Sequence, residues 1–134
     1  MTKKLIYTLL LPLIILFMFS CKGDVYREWS VENSSSQNIH VKASLLSDGD
    51  TISKSLEQGE KTLLAITTED RGNPDPQMAY DVFSYLKITN DSGQLYQIDW
   101  SDNDSWDIYI EETSINPDKF NQTYNLIVVD ADFD

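Results

Sequence analysis

The sequence predicts an all-β fold: an antiparallel β-sandwich of about seven to eight short strands, following an N-terminal hydrophobic segment. Polar and apolar residues alternate in short runs, the period of half-buried strands. Turn residues recur about every ten positions. No stretch after the first 20 residues carries the 3.6-residue apolar spacing of an amphipathic helix.

The first strand is expected over residues 25–32, with Trp29 and Val31 on one face and Tyr26, Glu28 and Ser30 on the other. Asn33, three serines and Gln37 then turn the chain. Alternation is clearest over 38–46, where Ile39, Val41, Ala43 and Leu45 oppose His40, Lys42 and Ser44. Asp48, Gly49 and Asp50 supply tight-turn chemistry before a strand at 51–55 runs back antiparallel. Gln58, Gly59 and Glu60 turn again before 61–67. Residues 68–77 contain Gly72, Pro74 and Pro76; a proline lacks the N–H that a ladder needs, so this stretch reads as a loop. Strands at 82–89 and 95–100 flank a turn at 90–93, and an acidic loop at 101–105 leads to a strand at 106–112. The closing strand, 122–130, sets Tyr124, Leu126 and Val128 against Ile127 and Val129.

Residues 1–20 read as an address. Lys3 and Lys4 precede an apolar run over 5–19, broken by Thr8 and Pro12, and Ser20 stands before Cys21. This is secretory signal architecture, short for a membrane span. With the single cysteine of the chain where the apolar run ends, the segment resembles a bacterial lipoprotein signal peptide, although Met18 and Phe19 depart from that family's Leu-then-small pattern. The resemblance implies cleavage before Cys21, a diacylglycerol on its thiol and a palmitate-type acyl group on the new amino terminus. One acyl chain holds a protein marginally, whereas two or three hold it stably. Lys22, rather than an aspartate, follows the cysteine, which by the same resemblance favours the outer membrane over the inner one. The side it faces, periplasm or exterior, stays open, as do an uncleaved signal anchor with a free Cys21 thiol and a cleaved soluble form. The expected organisation is a signal peptide at 1–20, a lipidated tether at 21–24 and one domain at 25–134.

The remainder also resembles small lipoproteins of Bacteroidetes-type bacteria, through "YREWSVENSSSQNIHV", "VFSYLKITNDSGQLYQIDW" and "TYNLIVVDADF". That resemblance implies an immunoglobulin-like sandwich and implies no particular activity.

Composition narrows the function. The 134 residues carry 22 acidic against 10 basic side chains, a formal net charge of −12. Such a surface is repelled by phosphate backbones and anionic headgroups, so neither nucleic acid nor polybasic-type membrane contact is expected. His40 is the only histidine and falls on a polar strand face with no catalytic partner nearby in sequence. With Cys21 assigned to lipid, Cys/His catalysis and thiolate metal sites are absent. Asp48 with Asp50, or Glu111 with Glu112, offer carboxylate pairs for a hydrolase, but pairs arise by chance among so many acids. No enzyme activity and no cofactor are expected.

The densest chemistry is "DWSDNDSWD", residues 99–107. Its Asp102, Asp104 and Asp107 are candidate calcium ligands in a non-EF-hand geometry, since hard cations take six to eight oxygens. The competing reading is a solvated loop whose side chains bond to local backbone. Trp100 and Trp106 flank it as candidate platforms for a sugar or a protein partner. Tyr96, Ile98 and Trp100 share a face, which assigns at least one indole to the core. Arg71, one of two arginines, is a candidate anchor for an anionic partner in the 68–77 loop. The expected function is a lipid-anchored, non-enzymatic envelope module presenting loops or a sheet edge to an envelope protein or extracellular ligand. The alternative is a carbohydrate-binding accessory domain using the acidic tryptophan loop, with or without calcium.

Overall fold

The computed structural model describes residues 23–70, 74–115 and 118–133. The expected signal peptide and Cys21 lie outside the described residues, as does Arg71. The described residues form seven strands: β1 (Asp24–Asn33), β2 (Ile39–Leu45), β3 (Thr51–Leu56), β4 (Lys61–Glu69), β5 (Phe83–Asn90), β6 (Asp107–Ile115) and β7 (Asp118–Val128). Single turns of 3₁₀ helix at Ala79–Asp81, Asn103–Ser105 and Asp130–Asp132 complete the regular structure. Among the described residues no helix is long and apolar enough to cross a membrane.

The strands form a four-stranded sheet ordered β4-β1-β7-β6 and a three-stranded sheet ordered β3-β2-β5. Period-2 alternation decides what faces inward. Val25, Trp29 and Val31 of β1, Ile39, Val41 and Ala43 of β2, and Tyr124, Leu126 and Val128 of β7 are all buried. At the centre Trp29 meets the edges of its neighbours, with ring centroids 5.8 Å from Phe83 and 5.2 Å from Trp106. Gly49 and Gly59 have φ of 74° and 80°, the left-handed region that their turns demand and that glycine enters without a Cβ clash.

Two expectations are corrected. The sandwich is not wholly antiparallel: β1 and β7 pair in parallel, Asp24 with Lys119 through Asn33 with Val128. Strands from opposite ends of a chain need no hairpin between them, so direction is free to follow packing. Residues 95–100 are not a strand, and the seven strands among the described residues fall within the expected seven to eight. Leu95 and Tyr96 make only isolated bridges, to Thr89 and Phe133. Gln97 then donates its N–H to the Asp132 carbonyl at 2.9 Å, which takes the chain away from β5. The strand partition also differs from the constant-type immunoglobulin arrangement, in which the first and second strands share a sheet.

Gly23 seats the start of the domain. A β-carbon there would overlap the Asp118 carbonyl. Gly23 therefore sits where β1 and β7 begin.

Candidate functional site

The acidic loop is built from its own hydrogen bonds. Asp99 Oδ1 accepts from the Ser101 N–H at 2.9 Å and its hydroxyl at 2.7 Å. These bonds hold the Asp99 carboxyl below its ordinary 3.8, because they stabilise the charged form. Asp102 accepts from the Asp104 N–H at 3.0 Å, and the Ser105 hydroxyl donates to the Asp99 carbonyl at 2.6 Å. These carboxylates are engaged in turn closure. Asp102, Asp104 and Asp107 do not converge on one point: among the described residues no group of three or more His, Cys, Asp or Glu is placed to hold a metal.

The two tryptophans part company. Trp106 is 5% exposed and stacks on Phe83 within the core, centroids 6.2 Å apart. It is no surface platform. Its indole N–H donates to the Trp100 carbonyl at 2.7 Å and fixes the loop's base. Trp100 is half-buried, packing on the core from one side. Its other surroundings form a groove of about 440 Å³ lined by Tyr85, Leu86, Lys87, Ile88, Leu95, Tyr96, Ile98, Asp99 and Trp100. Tyr85, Leu95 and Ile98 are each 43% exposed.

The groove follows from an interrupted ladder. Asn90 donates its N–H to Gln94 and Tyr96 donates to Ile88, so the outer edge of β5 is paired at its end. In an antiparallel strand every second residue turns both peptide groups to the same side. The Ile88 carbonyl points outward, so the Leu86 N–H and C=O do as well. With Gln97 diverted to Asp132, those groups lack a backbone partner among the described residues.

No protein-family model matches this chain, and no curated protein is significantly similar to it.

Two arrangements escaped the sequence reading. Arg27 is buried at 4% exposed, its Nε donating to Gln122 Oε1 at 2.9 Å and its guanidinium 3.2 Å from Glu69. Gln122 donates to the Pro74 carbonyl, and the Tyr124 hydroxyl both donates to Gln122 and accepts the Gln77 N–H, each at 2.8 Å. Asn103 Nδ2 reaches the Gln77 carbonyl at 3.1 Å. This network clips residues 74–77 and the acidic loop to the sheet. Its signal was available: Arg27 has the same parity as Trp29 and Val31 in β1. On the opposite sheet His40 lies between Ser55 Oγ at 2.8 Å and Asp91 Oδ1 at 2.9 Å. Cross-strand pairing of His40 with Ser55 makes the first contact. The imidazole and the Asp91 carboxylate are 49% and 50% exposed on an open sheet face, where water competes for both bonds. The trio serves as a cross-strand link.

Proposed function

We propose that this chain is a non-enzymatic recognition module of a bacterial cell envelope, tethered by lipid at Cys21, that takes an extended segment of another envelope protein against the edge of β5. One observation carries the reading: the apolar groove runs beside an edge whose Leu86 peptide groups have no backbone partner among the described residues. Strand addition combines such main-chain bonds with side-chain pockets. Leu95 already bridges to Thr89 on this edge, which supports its competence for pairing. The net charge of −12 disfavours a second copy of the chain as the occupant. Tethering raises the encounter frequency with partners on the same membrane.

The test is crosslinking in the source cells with a photo-reactive residue in place of Ile98, with Cys21→Ser and Trp100→Ala as comparisons. The reading expects one abundant protein neighbour, lost in both variants. Cys21→Ser that leaves mass and membrane partitioning unchanged removes the anchor. Trp100→Ala that leaves the crosslink intact removes the groove. Binding of glycans in place of a protein, abolished by Trp100→Ala, favours the carbohydrate-binding alternative, which now rests on Trp100 without Trp106.

A further inference from the structure

The outer face of the four-stranded sheet carries a second concavity, of about 190 Å³, far from the β5 groove. It is lined by Tyr26, Glu28, Tyr109, Glu111, Asn121 and Thr123, together with Gln122. Register explains the grouping. Tyr109 pairs with Thr123, and Thr123 with Glu28, in one cross-strand row; Glu111 pairs with Asn121, and Asn121 with Tyr26, in the next. Each row therefore holds one tyrosine and one glutamate at opposite ends, with the order reversed between rows. The phenols and carboxylates alternate around a hollow floored by β7.

We propose that this hollow binds an arginine side chain presented by a protein partner. The charge of the site is one-sided: two carboxylates line it and, among the described residues, no Lys or Arg does. The two phenol rings supply the faces on which a guanidinium stacks. A planar guanidinium also matches a carboxylate through paired N–H donors, which an ammonium cannot do. Tyr26 already donates its hydroxyl to Glu28 Oε1 at 3.2 Å, which steadies that carboxylate and leaves its second oxygen for the ligand. Tyr109 is 63% exposed, the most exposed of the large apolar and aromatic side chains among the described residues, and stands ready to be covered. A neutral sugar would use the rings but would draw nothing from two uncompensated charges.

The test is binding of a fluorescent Gly-Arg-Gly-Arg-Gly peptide to the full lipid-anchored chain in detergent, beside versions with lysine or glutamine in place of arginine. The arginine peptide binds best and the glutamine peptide does not bind. Glu111→Gln and Tyr109→Ala each weaken binding about tenfold, while Tyr109→Phe, which keeps the ring, binds within about twofold. Both positions are exposed, and thermal unfolding verifies that the fold is kept. The paired change Asp102→Asn and Asp104→Asn removes two charges elsewhere and leaves the affinity within about twofold. Equal weakening by that loop pair reduces the effect to diffuse attraction and overturns the site. Binding of a neutral oligosaccharide that depends on Tyr109, with no binding of the arginine peptide, overturns it in favour of a glycan.

Discussion

Trp29 and Tyr124 stand opposite one another in the parallel β1–β7 pairing, and their rings stack with centroids 3.8 Å apart at an interplanar angle of 17°. The stack joins two problems in one place. Trp29 fills the centre of the apolar core, while the Tyr124 hydroxyl extends past it into the polar network of Gln122 and Gln77. One side chain thus ties the core to the loop at residues 74–77.

Tyr124→Phe keeps the stack and removes the hydroxyl, orphaning the Gln77 N–H. The expected cost is about 1–3 kcal/mol, read as a lower urea midpoint at pH 7. Tyr124→Ala also empties the ring's volume and costs about 3–5 kcal/mol. Burial raises the Tyr124 phenol above its ordinary 10.0, against the opposing pull of the Gln77 N–H and Arg27. Burial, and then the Asp132 charge, raises Tyr96 as well. A neutral form favoured by folding contributes stability that is complete below 10.0 and lost as pH rises through the folded value. Wild-type stability should fall above about pH 10, and Tyr124→Phe should fall less steeply.

Arg27 and Gln122 form one unit, so their substitutions will not add. Gln122→Leu removes one acceptor of a buried guanidinium that also faces Glu69, together with bonds to Pro74 and Tyr124, and costs about 3 kcal/mol. Arg27→Met combined with Gln122→Leu replaces both members by apolar groups, which is cheaper than leaving a charge behind. A urea double-mutant cycle checks this, with a double variant more stable than the sum of the singles as the expected result.

How much of this could be read beforehand depended on which interactions set each element. The inward faces of β1, β2 and β7 were legible because apolar burial at every second residue writes itself into the sequence. Residues 95–100 carry the same alternation in Tyr96, Ile98 and Trp100, yet their course is set by a distant carbonyl, that of Asp132, which periodicity cannot reveal. The start of β7 at Asp118 was missed for a related reason: Lys119 and Asn121 are polar because that stretch faces water on one side. The parallel pairing of β1 with β7 and the Arg27–Gln122 bond both join residues 95 positions apart, and the links of that network to Glu69, Pro74 and Gln77 are long-range as well. The indole assignment split along the same line: one tryptophan of the flanking pair had to be core, but only the three-dimensional position of Phe83 and Trp29 selects Trp106.

Asn33 gives a local counterpart to those long-range contacts. Its amide is fully buried at the end of β1, donating to the carbonyls of Gln37 at 2.8 Å and Leu56 at 3.0 Å. Its carbonyl oxygen accepts from the Ser35 N–H and hydroxyl. The side chain thus joins the two sheets through the turn after β1. Asn33→Ala should cost about 2–4 kcal/mol in thermal or urea unfolding. Asn33→Asp keeps the Ser35 bonds but turns a carboxylate oxygen toward two carbonyls, so it should destabilise too, and less so at acid pH, where the protonated group can donate again.

The acidic loop makes the sharpest test of local chemistry. The Ser101 hydroxyl and N–H hold the Asp99 carboxyl below 3.8, the hydroxyl being the larger influence. A depressed folded value means that the stabilisation is present above 3.8 and is lost as pH falls through the folded midpoint. Ser101→Ala should therefore raise the Asp99 midpoint toward 3.8 in a carboxyl-carbon NMR titration, while Ser92→Ala, at another exposed turn, leaves it in place. Because Asp99 also lines the β5 groove, the same acidification that frees its carboxyl should alter Trp100 fluorescence, and at a higher pH in Ser101→Ala than in the wild type. An Asp99 midpoint indifferent to Ser101→Ala would mean that the backbone N–H alone sets the turn.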